Sequence, residues 1–178
     1  WIGKNCKHEW QSTIENRNQG RGCPYCSGHK VLSGFNDLAT NNPKLAEEWN
    51  YERNNELLPT KIAANSMKKI WWKCSKGHEW QAVVANRNRG TGCPYCTGKK
   101  VLSGYNDLAT INPSLAGEWD YDKNDLCPTE VRPNSHTIVW WICRKCNHNW
   151  EARIDYRNKN KSCPYCKNTA KHNITKTP

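Results

Sequence analysis

The sequence predicts a string of small α+β modules, each a cysteine-stapled β-hairpin, joined by short helical connectors. Three observations point there. The 178 residues include 11 Cys and 10 Trp but only one Phe and one Met, and hydrophobic residues make up 36%. That is too little aliphatic side chain for one large interior, and too much tryptophan for a disordered polymer. Cys-Pro-Tyr-Cys recurs at 23–26, 93–96 and 163–166, a period of 70 residues. His8, His78 and His148 keep that period, as do Trp10, Trp80 and Trp150, and Arg17, Arg87 and Arg157.

The elements follow in order. The first module, 1–35, opens on Trp1-Ile2, which aligns with Trp141-Ile142, so the strand before it is cut short. A fragment, a processed product or a piece of a longer protein is expected. Connector 36–70 and connector 105–139 follow the repeated segments at 31–40 and 101–110, which differ only at Phe35 and Tyr105. Asn112-Pro113 places Pro at a helix start, with 114–119 running after it. The second module spans 71–104 and the third 140–168; a basic tail, 169–178, closes the chain. Residues 70–74 and 138–143 are β-branched and aromatic, hence strands. Residues 79–87 alternate well enough for a second strand, with Trp80, Ala82 and Val84 on one face. Trp71 and Trp72 then lie on opposite faces, one entering the core and the other covering a connector helix.

Paired Cys-x-x-Cys spacing is the bite of a metal knuckle, and tetrahedral zinc takes four Cys or His ligands as two such pairs. His at a ligand position in the second module makes sense for metal and not for disulfides. Module 2 offers Cys74, His78, Cys93 and Cys96; module 3 offers Cys143, Cys146, Cys163 and Cys166. His148 is then redundant, and a role beside the site or on the surface is expected. Module 1 offers Cys6, His8, Cys23 and Cys26, with Gly3 where module 3 has Cys143, so either a bound ion or a degenerate site is open there. Two or three Zn²⁺ ions are expected, each closed by protein ligands and structural in role. Cys127, whose counterpart is Leu58, is expected to be a buried apolar residue. The fold class is therefore small zinc-stabilised α+β modules, zinc-ribbon or treble-clef-like hairpins in tandem.

The ordered set Trp72-x-Cys74, Gly77-His78-Glu79-Trp80, Arg87, Gly92-Cys93-Pro94-Tyr95-Cys96, Asn106-Asp107-Leu108-Ala109 and Glu118-Trp119 resembles the zinc-ribbon, or treble-clef, repeats of bacterial, phage and some algal proteins. The resemblance runs to about Cys166. It implies zinc and an association with DNA, because such repeats can accompany nuclease-like domains. No nuclease domain is visible here.

Charge is divided unevenly. The formal net charge is +11, made of +3 in residues 1–30, zero in 31–70, +5 in 71–100, −4 in 101–140 and +7 in 141–178. Positive charge thus sits in the Cys-rich modules. Arg17, Arg87 and Arg157 at a strand end, Arg21, Arg89 and Lys159 in the following turn, and Lys99 and Lys100 beyond the second knuckle are the candidate nucleic-acid contacts. The rival role for the recurrent Arg is to brace the Cys-Pro-Tyr-Cys knuckle. DNA is expected ahead of RNA as the partner. The alternative is a protein-interaction or assembly module docking on a ribonucleoprotein or polymerase complex, with the acidic connectors facing the protein. Catalysis is not expected, because no metalloprotease, P-loop or nucleophile-elbow motif appears. Nor is a membrane role, for want of an apolar run of about 18 residues. Reduced cysteine points to an intracellular setting.

Overall fold

The structure, a computed structural model, describes residues 1–159 and 162–166; the expected basic tail at 169–178 lies outside the described residues. The chain divides into two compact units, Trp1–Cys93 and Pro94–Pro178.

The first unit opens with a minimal hairpin, marked by an antiparallel bridge between Ile2 and Glu9. Helix α1, Ile14–Asn18, follows, capped by Thr13, whose hydroxyl accepts the Asn16 amide at 3.2 Å. Three one-turn helices come next: α2 (Leu38–Asn41), α3 (Pro43–Ala46) and α4 (Tyr51–Asn54). Helices this short cannot persist on propensity alone. Asp37, Asn42 and Asn50 therefore cap them in turn, each accepting an amide three residues on. Strands β1 (Lys69–Lys73) and β2 (Glu79–Val83) pair antiparallel with Trp72 opposite Trp80.

The connector completes this hairpin. Trp49 bridges Trp72 through the backbone, and their rings meet edge-on at 5.7 Å. The Asn54 carboxamide takes both backbone groups of Trp71, accepting its amide at 2.9 Å and donating to its carbonyl at 2.8 Å. Leu38, Trp49, Ile70, Trp72 and Val84 are all buried in this unit. The connector is thus part of the folding unit of the module that follows it.

The second unit repeats the plan with α6 (Leu108–Ile111), α7 (Pro113–Ala116), β3 (Ile138–Ile142), β4 (Asn149–Arg153) and α8 (Ile154–Asn158). Helix α5, Val84–Asn88, belongs to the first unit. Trp141 sits opposite Trp150, and Asn124 clamps Trp140 as Asn54 clamps Trp71. Connector residues Leu108, Leu115, Trp119 and Val131 share one apolar cluster with Val139, Trp141, Trp150, Ile154 and the metal-site residues Cys143 and Cys163.

Two expectations need correction. The strand at 79–87 ends at Val83, and Val84–Asn88 turns helical as α5. The turn is fixed by the amides of Val84 and Ala85, which bond to Lys68 and Ser66 carbonyls at 3.0 and 2.9 Å and bring Arg87 back under the sheet. Cys127 is exposed rather than buried. It begins a surface 3₁₀ turn, Pro128–Glu130, and its amide is held by the Glu130 carboxylate at 2.8 Å. The outer Trp71 is half-buried beneath the Arg53 guanidinium, 4.3 Å from the ring centre, while Trp72 is fully buried. Among the described residues no helix is long and apolar enough to cross a membrane.

Candidate metal centres

Each centre is built from two turns. The hairpin turn supplies the first two ligands, and the Cys-Pro-Tyr-Cys turn the second two. All three hairpin turns are closed by the same backbone hydrogen bond, although the turn of module 2 is one residue shorter. The amide of Gly3, Cys74 or Cys143 donates to the carbonyl of His8, His78 or His148, at 3.0, 3.1 and 3.0 Å. The residue before each His has positive φ: Lys7 at 57°, Gly77 at 81° and Asn147 at 54°.

The second turn is locked from outside the module. Asn36 donates to the carbonyls of Tyr25 and Lys30, both at 2.8 Å, and accepts the Leu32 amide at 2.7 Å. Asn106 does the same to Tyr95, Lys100 and Leu102. Asp37 beside it accepts the Gly34 amide at 2.6 Å and the Thr40 amide and hydroxyl at 2.9 and 2.8 Å. Burial works against ionisation of this carboxyl, but the Thr40 hydroxyl, the Thr40 amide and the Gly34 amide outweigh it and hold its pKa below the ordinary range. The repeated Asn-Asp-Leu-Ala-Thr is therefore a clamp that joins knuckle to connector. The sequence marks this segment as a repeat and as part of the family resemblance, but not as a clamp.

The three clusters are Cys6, His8, Cys23 and Cys26; Cys74, His78, Cys93 and Cys96; and Cys143, Cys146, Cys163 and Cys166, with one ligand atom per residue and all within 4.8 Å of one another. The eleven cysteines, all among the described residues, form no disulfide. Sulfur–sulfur separations of 3.6 Å (Cys143–Cys166) and 3.7 Å (Cys146–Cys163) are far beyond a disulfide bond. They match the edge of a tetrahedron with metal–sulfur bonds of about 2.3 Å, which is about 3.8 Å. Nδ1 of His8 stands 3.5 and 3.6 Å from the Cys23 and Cys26 sulfurs, and Nδ1 of His78 stands 3.5 and 3.7 Å from those of Cys74 and Cys93. The corresponding sulfur–nitrogen edge is about 3.6 Å. The residues present fit the ion.

The electrostatics ask for a cation. The Lys145 and Cys146 amides hold the Cys143 thiol at about 6, whereas the Cys146 and Cys143 sulfurs, with burial, push Cys166 up to about 12. In the first cluster burial opposes ionisation of Cys23, but hydrogen bonds from the Cys26 amide and His8 win and bring it to about 6. Burial and the neighbouring Cys6 and Cys23 raise Cys26 to about 11. In the first and third clusters one thiolate forms readily, at Cys23 and Cys143, while Cys26, Cys146 and Cys166 resist until a positive ion offsets the charge. Thiolate and imidazole in a tetrahedral set select zinc.

Residues 1–29, 45–99 and 115–169 match the sequence profile of the family described as "Probable Treble clef zinc finger domain". The chain belongs to that family. The second and third matches begin at Leu45 and Leu115, both buried, and Leu115 shares the apolar cluster of the hairpin that follows. The family repeat thus coincides with the connector-plus-module unit of the structure. Among curated proteins none matches the chain. The zinc finger repeats bind zinc, at two or three sites.

The cation candidates separate into two groups. Arg87 is 6% exposed, pairs with Glu48, donates to the Thr91 carbonyl, and lies 5.2 Å from the Trp72 and Trp80 ring centres. Arg157 is equally buried, pairs with Glu118, and lies 5.3 and 5.1 Å from Trp141 and Trp150. Arg17 is half-buried, donates to the Arg21 carbonyl, and lies 5.1 and 5.5 Å from Trp1 and Trp10. Arg87 and Arg157, expected among the phosphate contacts, are each buried against a carboxylate and two indoles, as the rival bracing role requires, and Arg87 also donates to a carbonyl. Asn88 and Asn158 are also engaged, accepting from Asn42 and Asn112, each at 3.0 Å. By contrast Arg21, Arg89, Lys99, Lys100 and Lys159 are exposed.

Proposed function

We propose that this zinc finger protein is non-catalytic and binds nucleic acid, DNA ahead of RNA, through exposed cations on its modules. One observation carries the reading. Arg21, Arg89, Lys99, Lys100 and Lys159 are exposed and form no salt bridge among the described residues, while the connector acids Glu48 and Glu118 are spent on buried arginines. Positive charge with no salt bridge among the described residues therefore flanks the knuckles. Such a surface attracts phosphates without reading sequence. Two or three units on one chain add weak contacts through effective concentration.

The test is a gel shift of zinc-loaded protein with duplex DNA, single-stranded DNA and RNA in parallel. Duplex affinity should fall roughly a hundredfold or more between about 50 and 200 mM salt. Joint Lys99→Ala and Lys100→Ala replacement should lower the salt slope by about 2, equally for unrelated duplexes. Absence of binding to all three polymers would refute the reading. The alternative, docking on a ribonucleoprotein or polymerase complex, is favoured by exposed Tyr51 and Leu58 in one connector and Tyr121 and Leu126 in the other. A partner captured with little salt dependence would favour it.

A further inference from the structure

We propose that His148 is a reserve ligand of the third zinc site, held beside the tetrahedron and able to enter it when the Cys143 sulfur is lost. The inference goes beyond nucleic-acid binding and rests only on the zinc sites themselves. Each turn has three slots from which a ligand can reach the ion, and each cluster uses two. Module 1 has Gly3 in the first slot and uses Cys6 and His8. Module 2 uses Cys74 and His78, and module 3 uses Cys143 and Cys146. Module 3 alone carries a side chain able to bind zinc in all three slots.

The backbone at His148 matches that at the ligand His8. Its carbonyl accepts the Cys143 amide at 3.0 Å, as the His8 carbonyl accepts the Gly3 amide at 3.0 Å. Asn147 and Lys7, the preceding residues, share φ of 54° and 57°. Only the side chain differs. The His148 ring lies flat on Tyr165, 4.5 Å between centres at 19°, with Nδ1 3.1 Å from the Cys146 carbonyl. The His8 ring stands edge-on to the equivalent Tyr25, at 84°, and points Nδ1 at the Cys23 and Cys26 sulfurs. Rotation about the side-chain bonds converts one arrangement into the other. His148 is exposed, so the rotation displaces no packed neighbour from a core.

Module 1 also shows what must leave. A Cβ at Gly3 would collide with the Cys6 sulfur. The second-slot sulfur therefore takes its place beside the imidazole only when the first slot is bare. Cys143→Gly reproduces that state in module 3.

The experiment counts zinc per full-length chain by elemental analysis and reads Co²⁺-substituted protein by absorption. Wild type and His148→Ala should hold the same number of ions and give the same spectrum. Cys143→Gly should keep the full count, with the Co²⁺ ligand-field bands shifted to shorter wavelength and thiolate charge transfer reduced as one sulfur gives way to nitrogen. Cys143→Gly with His148→Ala should lose one ion. Loss of an ion by Cys143→Gly alone, or its retention by the double variant, would overturn the proposal.

Discussion

Modules 1 and 2 carry the same metal-site plan and the same Arg between indoles, yet their hairpins are closed differently. Trp72 of module 2 is fully buried under Trp49 of the connector before it, whereas Trp1, the first residue of the sequence, is 52% exposed with that segment outside the sequence. Arg87 is 6% exposed and paired with Glu48, whereas Arg17 forms no salt bridge among the described residues. The contrast separates two jobs. Zinc fixes the two turns of a module. The connector covers the hairpin face and supplies the acid that lets an arginine sit inside.

The largest effect should come from removing a ligand. Cys93→Ser takes away a buried thiolate in module 2, and that module should unfold, because ion binding is the main source of folding free energy in so small a unit. Circular dichroism with zinc counting checks it; a folded module 2 holding its ion would contradict it. Next is the brace. Arg87→Ala strands the Glu48 carboxylate and two indoles, and should cost about 3 kcal/mol, whereas Arg17→Ala should cost under about 1 kcal/mol. Hydrogen exchange resolved by module measures both, and equal costs would erase the distinction drawn here.

The clamp comes third. Asp37→Asn should cost about 1 kcal/mol near neutral pH, the scale of a lost helix cap. Because the folded carboxyl titrates below its ordinary 3.8, its contribution is present above that pH and drains as acid protonates the folded form. The stability gap between wild type and Asp37→Asn should thus close on acidification; a gap that widens would show the sign to be wrong. The smallest effect belongs to Gly117→Ala. The nearest atoms to the new Cβ belong to the Arg144 guanidinium, a flexible side-chain end that bonds the Gly117 carbonyl at 3.0 Å. Denaturant melting should register less than about 0.5 kcal/mol.

Ligand residues were the most legible part of the sequence, because metal chemistry restricts residue type and spacing together. The 70-residue period exposed the modules for the same reason. Charge was less informative. Arg87 and Lys99 look alike in composition, but one is enclosed by Trp72, Trp80 and Glu48 and the other is exposed. That difference depends on Glu48, 39 residues away, and no local pattern encodes it. The early end of β2 was hidden likewise, since the Lys68 and Ser66 carbonyls that turn Val84 and Ala85 lie in the preceding segment. A signal for the brace did exist: Glu48 and Glu118 keep the same 70-residue spacing as Arg87 and Arg157.

The most direct test of the account is X-ray absorption at the zinc edge of the full-length protein, together with the metal count. Three tetrahedra built from the observed clusters predict three ions sharing ten sulfurs and two imidazole nitrogens. A chain with no zinc and its cysteines joined as disulfides, or a zinc shell dominated by oxygen, would contradict it.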